Sequence, residues 1–327
     1  MKKIILVFIL INPLISEAQT TYKNLEKYWY YRLRLQNDFL KVGPNQGESI
    51  PAEVRFTNGQ LLWDDPTQSL GWYIGVLATE FRLLDDNNES TLATEEELYY
   101  ALNAFERLDF NAEIHFKDND GNFGTPEYNG FFIRDDVPGD FISNISDPDV
   151  QGYDQEAYEN YLHFNSGLTN SITVHTINSG LCSLQGIDCE KCKNPYPCNE
   201  VSQDQIFHLL IGLALVERFV NTWITYNGIN FWEKAREITD RIIEYAKEDG
   251  WYIKNAVSGD NVGYGESVVL RSYALAAAGH KITGEYYQDG VSTFNYLTWQ
   301  YTQLVVGPMD FPFNINHKAA LAAVGDS

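Results

Sequence analysis

The sequence predicts an all-α protein, an array of helical hairpins with an irregular inserted region. Apolar residues recur at i, i+3, i+4 spacing through 22–109 and again through 202–325. Between them, residues 110–200 lose that period and are rich in Gly, Pro, Asp and Asn. The helices also alternate in character, one apolar nearly all round and the next amphipathic.

The chain begins MKKIILVFILINPLISEAQT. Lys2 and Lys3 precede an apolar stretch from Ile4 to Ile15, and Ser16-Glu17-Ala18 offers small residues for cleavage. This predicts a secretory signal peptide over 1–18, with 19–327 as one exported domain, periplasmic or extracellular. The run is shorter than the roughly 20 apolar residues of a span, and Asn12 and Pro13 interrupt it. No later stretch is apolar enough to span a membrane.

The first predicted helix, 22–41, places Leu25, Tyr28, Trp29, Arg32, Leu33, Gln36 and Leu40 on one stripe and stops at Gly43-Pro44. The second, 68–85, aligns Leu70, Tyr73, Ile74, Leu77, Phe81 and Leu84. The third, 94–109, opens on Thr94 with Glu97 three residues on, a capping-box pattern. A short polar loop between the last two predicts an antiparallel hairpin. In the insertion, short strands are expected near 112–117 and 130–134, and a short helix near 154–163. Ser202 and Gln205 form a second capping-box pattern before the apolar helix 203–221, which predicts burial on all sides. Amphipathic 230–248, Ala-rich 265–278 and aromatic 287–304 follow, and a further helix opens at Asn314. Because the chain stops at Gly325-Asp326-Ser327 with no helix-ending residues, the array is expected to be cut short.

The inner and outer helices of an (α/α) toroid alternate in this way. By that pattern, over about two thirds of the chain (22–109 and 202–325), the sequence resembles the six-hairpin glycosidase-like superfamily. The resemblance implies a toroid-like fold whose inner-helix ends line a funnel for a glycan, with acids there as proton donors or bases. Its members include glycoside hydrolases, uronyl hydrolases and polysaccharide lyases.

Charge and composition narrow the partners. With 23 Lys+Arg against 45 Asp+Glu, the formal charge is -22, which repels nucleic acid. Seven Trp and 21 Tyr supply rings for a core and for stacking on poly- or oligosaccharide. No Walker loop, dinucleotide fingerprint, HExxH or GxSxG occurs.

Four segments carry candidate chemistry. Asp204 and His208 stand at i, i+4 on the apolar helix, where a carboxylate and an imidazole need partners or a ligand. In GFFIRDDVP, one of Asp135 and Asp136 could meet a ligand while the other pairs with Arg134, itself a clamp for a uronate carboxylate or sulfate. Trp63 and Asp64, with Asp65, stand at a helix entrance as a sugar subsite would. Tyr264 and Glu266 follow or flank glycines that let a ligand approach. Each has a structural reading too: dipole partner, cap or local salt bridge.

Glycoside hydrolysis needs two carboxylates, about 5 Å or about 6.5–9.5 Å apart. Asp204, Asp136 and Glu266 are the catalytic candidates with His208, and Trp63, Asp64, Arg134 and Tyr264 the binding ones. A lyase would instead use His208 or His175 with Arg134. Acids outnumber histidines at the predicted helix entrances, so hydrolysis ranks first. A non-catalytic glycan-binding or surface-assembly protein is the rival.

Cys182, Cys189, Cys192 and Cys198 lie in one segment. In an exported chain they predict two disulfides, with three pairings open; only Cys189-x-x-Cys192 has zinc-site spacing. No cofactor is required. Calcium is a side reading at Asp118, Asp120 and Asn122, or at Asp147 and Asp149, both imperfect as EF-hand loops.

Overall fold

A computed structural model describes residues 22–55, 61–63, 65–113, 124–134, 136–137, 203–254, 261–262 and 268–287. This part is mostly helical. Helix α1 covers 22–34 and runs on through a π-helical turn, Leu35–Phe39. It is followed by α2 (Pro66–Asp86), α3 (Leu92–Phe110), α4 (Gln203–Phe219), α5 (Phe231–Glu248) and α6 (Val268–Thr283). Three two-residue antiparallel hairpins join them: β1 (Val54–Arg55) with β2 (Leu61–Leu62), β3 (Thr225–Tyr226) with β4 (Ile229–Asn230), and β5 (Ile253–Lys254) with β6 (Asn261–Val262).

The helices form two layers of alternating direction. Tyr73 meets Glu97 and Glu80 meets Thr94, so α2 and α3 are antiparallel. Gln205 meets Asp65 at one end and Asn221 meets Asp85 at the other, so α2 and α4 run parallel. Arg236 reaches the carbonyls of Ile282 and Thr283, which makes α5 and α6 antiparallel. Thus α2, α4 and α6 lie side by side, with α3 and α5 behind them.

Helix α4 is buried at every position from Gln205 to Ala214, as its all-round apolarity predicts, because α2, α5 and α6 cover it. Glycines set the α2–α4 spacing. A Cβ on Gly71 would fall 2.5 Å from the His208 carbonyl oxygen, and one on Gly212 would overlap the Gly71 carbonyl.

Three local expectations change. On α1 only part of the predicted stripe docks: Arg32 and Leu40 are 6% and 2% exposed and Tyr28 and Gln36 meet Glu80 and Glu97, while Leu25, Trp29 and Leu33 are 53%, 39% and 52% exposed. The Thr94/Glu97 capping box does not form. Thr91 is the residue before α3, and its hydroxyl donates to Glu95. Thr94 donates to Glu80 at 2.7 Å instead, and Glu97 pairs with Arg32. Residues 130–133 form no strand; Ile133 N–H donates to the Leu108 carbonyl at the end of α3. The expected helices at 154–163, 287–304 (beyond Tyr287) and from Asn314 lie outside the described residues, as do the signal segment and any hairpins that would complete a toroid.

Candidate functional site

Because α2 and α4 run parallel, their N-terminal ends share one end of the array, and the positive ends of both helix dipoles lie there. Pro66 occupies the first turn of α2, where its missing N–H costs nothing. Asp65, just before it, does not cap the helix with its side chain. Its Oδ1 instead accepts from Gln205 Nε2 at 3.2 Å and stands 3.8 Å from Arg134 Nη1. Thr67 Oγ1 donates to the Arg134 carbonyl and fixes that strand of chain against α2. One turn further in, the Trp72 indole lies 5.2 Å from the His208 ring at 52°. Trp72 is 47% exposed and His208 7%. This end of the array therefore has an exposed indole packed on His208, while the Gln205 amide is fully buried against Asp65.

Two ion-pair assemblies hold the segment that carries Arg134. Arg241 of α5 donates from Nε to Asp109 Oδ2 at 2.9 Å and from Nη2 to Glu106. Asp109, fully buried, accepts from the backbone N–H groups of Asn129 (3.2 Å) and Gly130 (3.0 Å). Gly130 has φ +85 and lies against the Arg241 carbonyl, where no Cβ fits. The second assembly centres on Asp136. Its Oδ2 accepts from Arg107 Nε at 3.0 Å and its Oδ1 from Gly47 N–H at 3.0 Å. Arg107 also donates to the Glu48 carbonyl at 2.9 Å. Burial pushes the Asp136 carboxyl up, against the pull of the Arg107 guanidinium.

The sequence-predicted residues separate as follows. Arg134, His208 and Asp65 come together at this end, and Asp204 lies in the first turn of α4, its side chain outside the described residues. Trp63 does not line a subsite: it is fully buried, and Nε1 donates to the Ile50 carbonyl at 3.1 Å. Asp136 pairs with Arg107 rather than Arg134, and at 5% exposure it positions the 41–50 loop. Asp64, Asp135, Tyr264, Glu266, His175, the four cysteines and both calcium loops lie outside the described residues. Trp72 and Gln205 were the residues sequence reasoning passed over as site members. Trp72 stood off the apolar stripe of its helix, which is the signal an exposed ring leaves.

Glu113, just past α3, holds a further strained carboxyl. Asn129 Nδ2 donates to its Oε1 at 2.7 Å, whereas Oε2 is buried without a hydrogen-bond partner. Burial raises this carboxyl to about 7. A carboxyl raised above its unfolded value keeps its proton longer when folded. Stability from this group is thus full below the unfolded value and is lost as pH rises through about 7. Glu113→Gln is expected to flatten that fall by on the order of 1 kcal/mol, discounted for partial exposure. Urea midpoints from acid to neutral pH check it; parallel profiles for variant and wild type would show the assignment wrong.

Among the described residues no group of three or more His, Cys, Asp or Glu is placed to hold a metal ion. No described helix is long and apolar enough to cross a membrane. What the fold defines is an all-α protein of stacked helical hairpins. Compared with known proteins, the chain matches no family model, no curated protein and no solved structure.

Proposed function

We propose that this is an exported glycan-active protein, a glycoside hydrolase, working at the shared N-terminal end of α2 and α4. One observation carries the reading: the exposed Trp72 indole packs against the His208 ring, on the two helices whose N-terminal ends Asp65 and Gln205 join. An indole face suits the apolar face of a pyranose, and flanking polar groups suit its hydroxyls. Asp204, in the first turn of α4, is the proton donor or base in this reading. The signal-like start of the chain favours an extracellular polymer over a cytosolic metabolite.

A panel of polysaccharides with reducing-end detection tests it. Asp204→Asn is expected to lower product formation ~10²–10⁴-fold, the range for a lost general acid or base. Equal product from variant and wild type would remove Asp204 from the mechanism. A second reading, non-catalytic glycan binding, has one observation in its favour: Asp136, a candidate for the carboxylate pair, is engaged by Arg107 and Gly47. Glycan retention without any product would establish that reading instead.

A further inference from the structure

We propose that Glu113 is a proton-operated latch on residues 124–134: the segment is held while the Glu113 carboxyl carries a proton and loosens when it ionises. The geometry is a cluster of acids around one asparagine. Both N–H groups of the Asn129 side-chain amide are spent on carboxyl oxygens, Glu113 Oε1 at 2.7 Å and Glu127 Oε1 at 3.0 Å. The Asn129 backbone N–H donates to Asp109 Oδ1 at 3.2 Å, and its Oδ1 accepts from Phe131 N–H at 2.9 Å. Among the described residues Arg241 neutralises Asp109, and no ion pair meets Glu113 or Glu127. The second Glu113 oxygen, Oε2, is buried without a hydrogen-bond partner. A carboxyl so placed is tolerated neutral and penalised as an anion. Ionised, it adds a charge beside Glu127 and Asp109, with neither water nor a donor on Oε2. From α5 the group that faces it is Tyr245, itself hydrogen-bonded to Asp249, which brings no positive charge. His115 and Lys117 lie outside the described residues. Burial, with Glu127 and Asp109 adding to it, lifts this carboxyl to about 7.

The segment can give without breaking a helix. Its first residues are irregular chain, tied by single hydrogen bonds: Gly124 N–H to the Glu113 carbonyl, Glu127 N–H to the Phe110 carbonyl, and the N–H groups of Asn129 and Gly130 to Asp109. Outward movement of 127–129 admits water to Oε2 and separates the charges. Further on, the same stretch carries Arg134, 3.8 Å from Asp65. Ionisation therefore loosens what the segment holds at the N-terminal end of α2, whether or not that end takes a glycan. Once the segment opens, the carboxyl returns to its ordinary value of 4.5. Opening is thus rarest below 4.5, grows by up to about tenfold per pH unit above it, and levels off past about 7.

Hydrogen exchange of the full chain, read by mass spectrometry and corrected for the intrinsic pH dependence of amide exchange, tests this from about pH 5 to about pH 8.5. Peptides within 124–134 are expected to exchange about tenfold or more faster at the upper end, with a midpoint near 7, while α4 peptides change less than about twofold. Glu113→Gln, the neutral isostere, should keep the acid-side protection throughout. Glu127→Gln should keep the step and lower its midpoint, because a like charge beside Glu113 is gone. A flat wild-type profile would overturn the latch, and a cation from His115 or Lys117 paired with Glu113 would produce that profile. A step that survives Glu113→Gln would overturn it too. So would a rise shared equally by α4, which would mean global unfolding, or a midpoint that Glu127→Gln leaves in place, which would assign the step to another group.

Discussion

Gly212→Ala is expected to destabilise the protein by about 1–3 kcal/mol, the cost of forcing an extra methyl into a packed core. The added Cβ would overlap the Gly71 carbonyl, and Gly71→Ala would press on the His208 carbonyl at 2.5 Å. Both obstacles are backbone, so no side chain can swing aside. The sign is informative. In a helix with nothing against it, glycine to alanine stabilises by about 1 kcal/mol. A loss therefore reports the α2–α4 contact itself. Gly75→Ala is the internal comparison: its nearest neighbour is a Leu215 methyl at 2.9 Å, a side chain that can move, so a smaller loss is expected. Urea unfolding of the three variants checks the order. If Gly212→Ala matches or exceeds wild type, the two helices do not pack as described. The same shift would part Asp65 from Gln205 and Trp72 from His208, so glycan binding should fall with stability.

Arg32→Met is expected to cost about 3–5 kcal/mol, the penalty for removing one partner from a buried ion pair. Arg32 is the link between α1 and the α2–α3 hairpin. Its Nε meets Glu80 at 2.9 Å and its Nη2 meets Glu97 at 2.7 Å. Tyr28 and Thr94 also donate to Glu80, and Tyr73 and Gln36 to Glu97. Without the guanidinium, two carboxylates remain at 4% and 7% side-chain exposure. Adding Glu80→Gln and Glu97→Gln to Arg32→Met should restore part of the loss, because the uncompensated charge is gone. If the triple variant is no more stable than Arg32→Met, packing rather than charge accounts for the loss. Arg32→Lys should not rescue, since an ammonium cannot span both carboxylates as the fork does.

The helices were legible where one physical cause dominated. Helix α4 is apolar almost throughout 206–216, with His208 as the exception, so burial of that stretch was its expected outcome. Helix α2 kept its stripe because Leu70, Tyr73, Ile74, Leu77 and Phe81 outweigh any polar alternative on that face. Prediction failed where two faces competed. On α1 the predicted stripe splits: the edge with Tyr28, Arg32 and Gln36 docks because Arg32 meets Glu80 and Glu97, and the edge with Leu25, Trp29 and Leu33 stays exposed. Thr94 and Glu97 satisfy a capping pattern, yet both are drawn into that same network, and Thr91 precedes the helix instead. The hairpin between β3 and β4 was missed, although Asn227-Gly228, both at positive φ, is the usual two-residue turn.

Site residues were legible by type but not by partner. Arg134 and Asp136 are two apart in sequence and suggested a local pair. The chain turns so that Arg134 faces Asp65 and Asp136 faces Arg107. Trp63 was the candidate sugar platform and Trp72 was not. One is sealed in the core, its indole N–H on Ile50, and the other is open.

By itself, then, the sequence determined the helical class, the hairpin order and the burial of α4, because each follows from local periodicity and from how much apolar surface a helix must hide. Tertiary structure alone decided which charged groups meet and which indole faces solvent. Those outcomes depend on contacts between residues 29 to 140 positions apart, such as Arg107 with Asp136 and Asp65 with Gln205. No local pattern encodes such distances; the parallel packing of α2 against α4, set by Gly71 and Gly212, does.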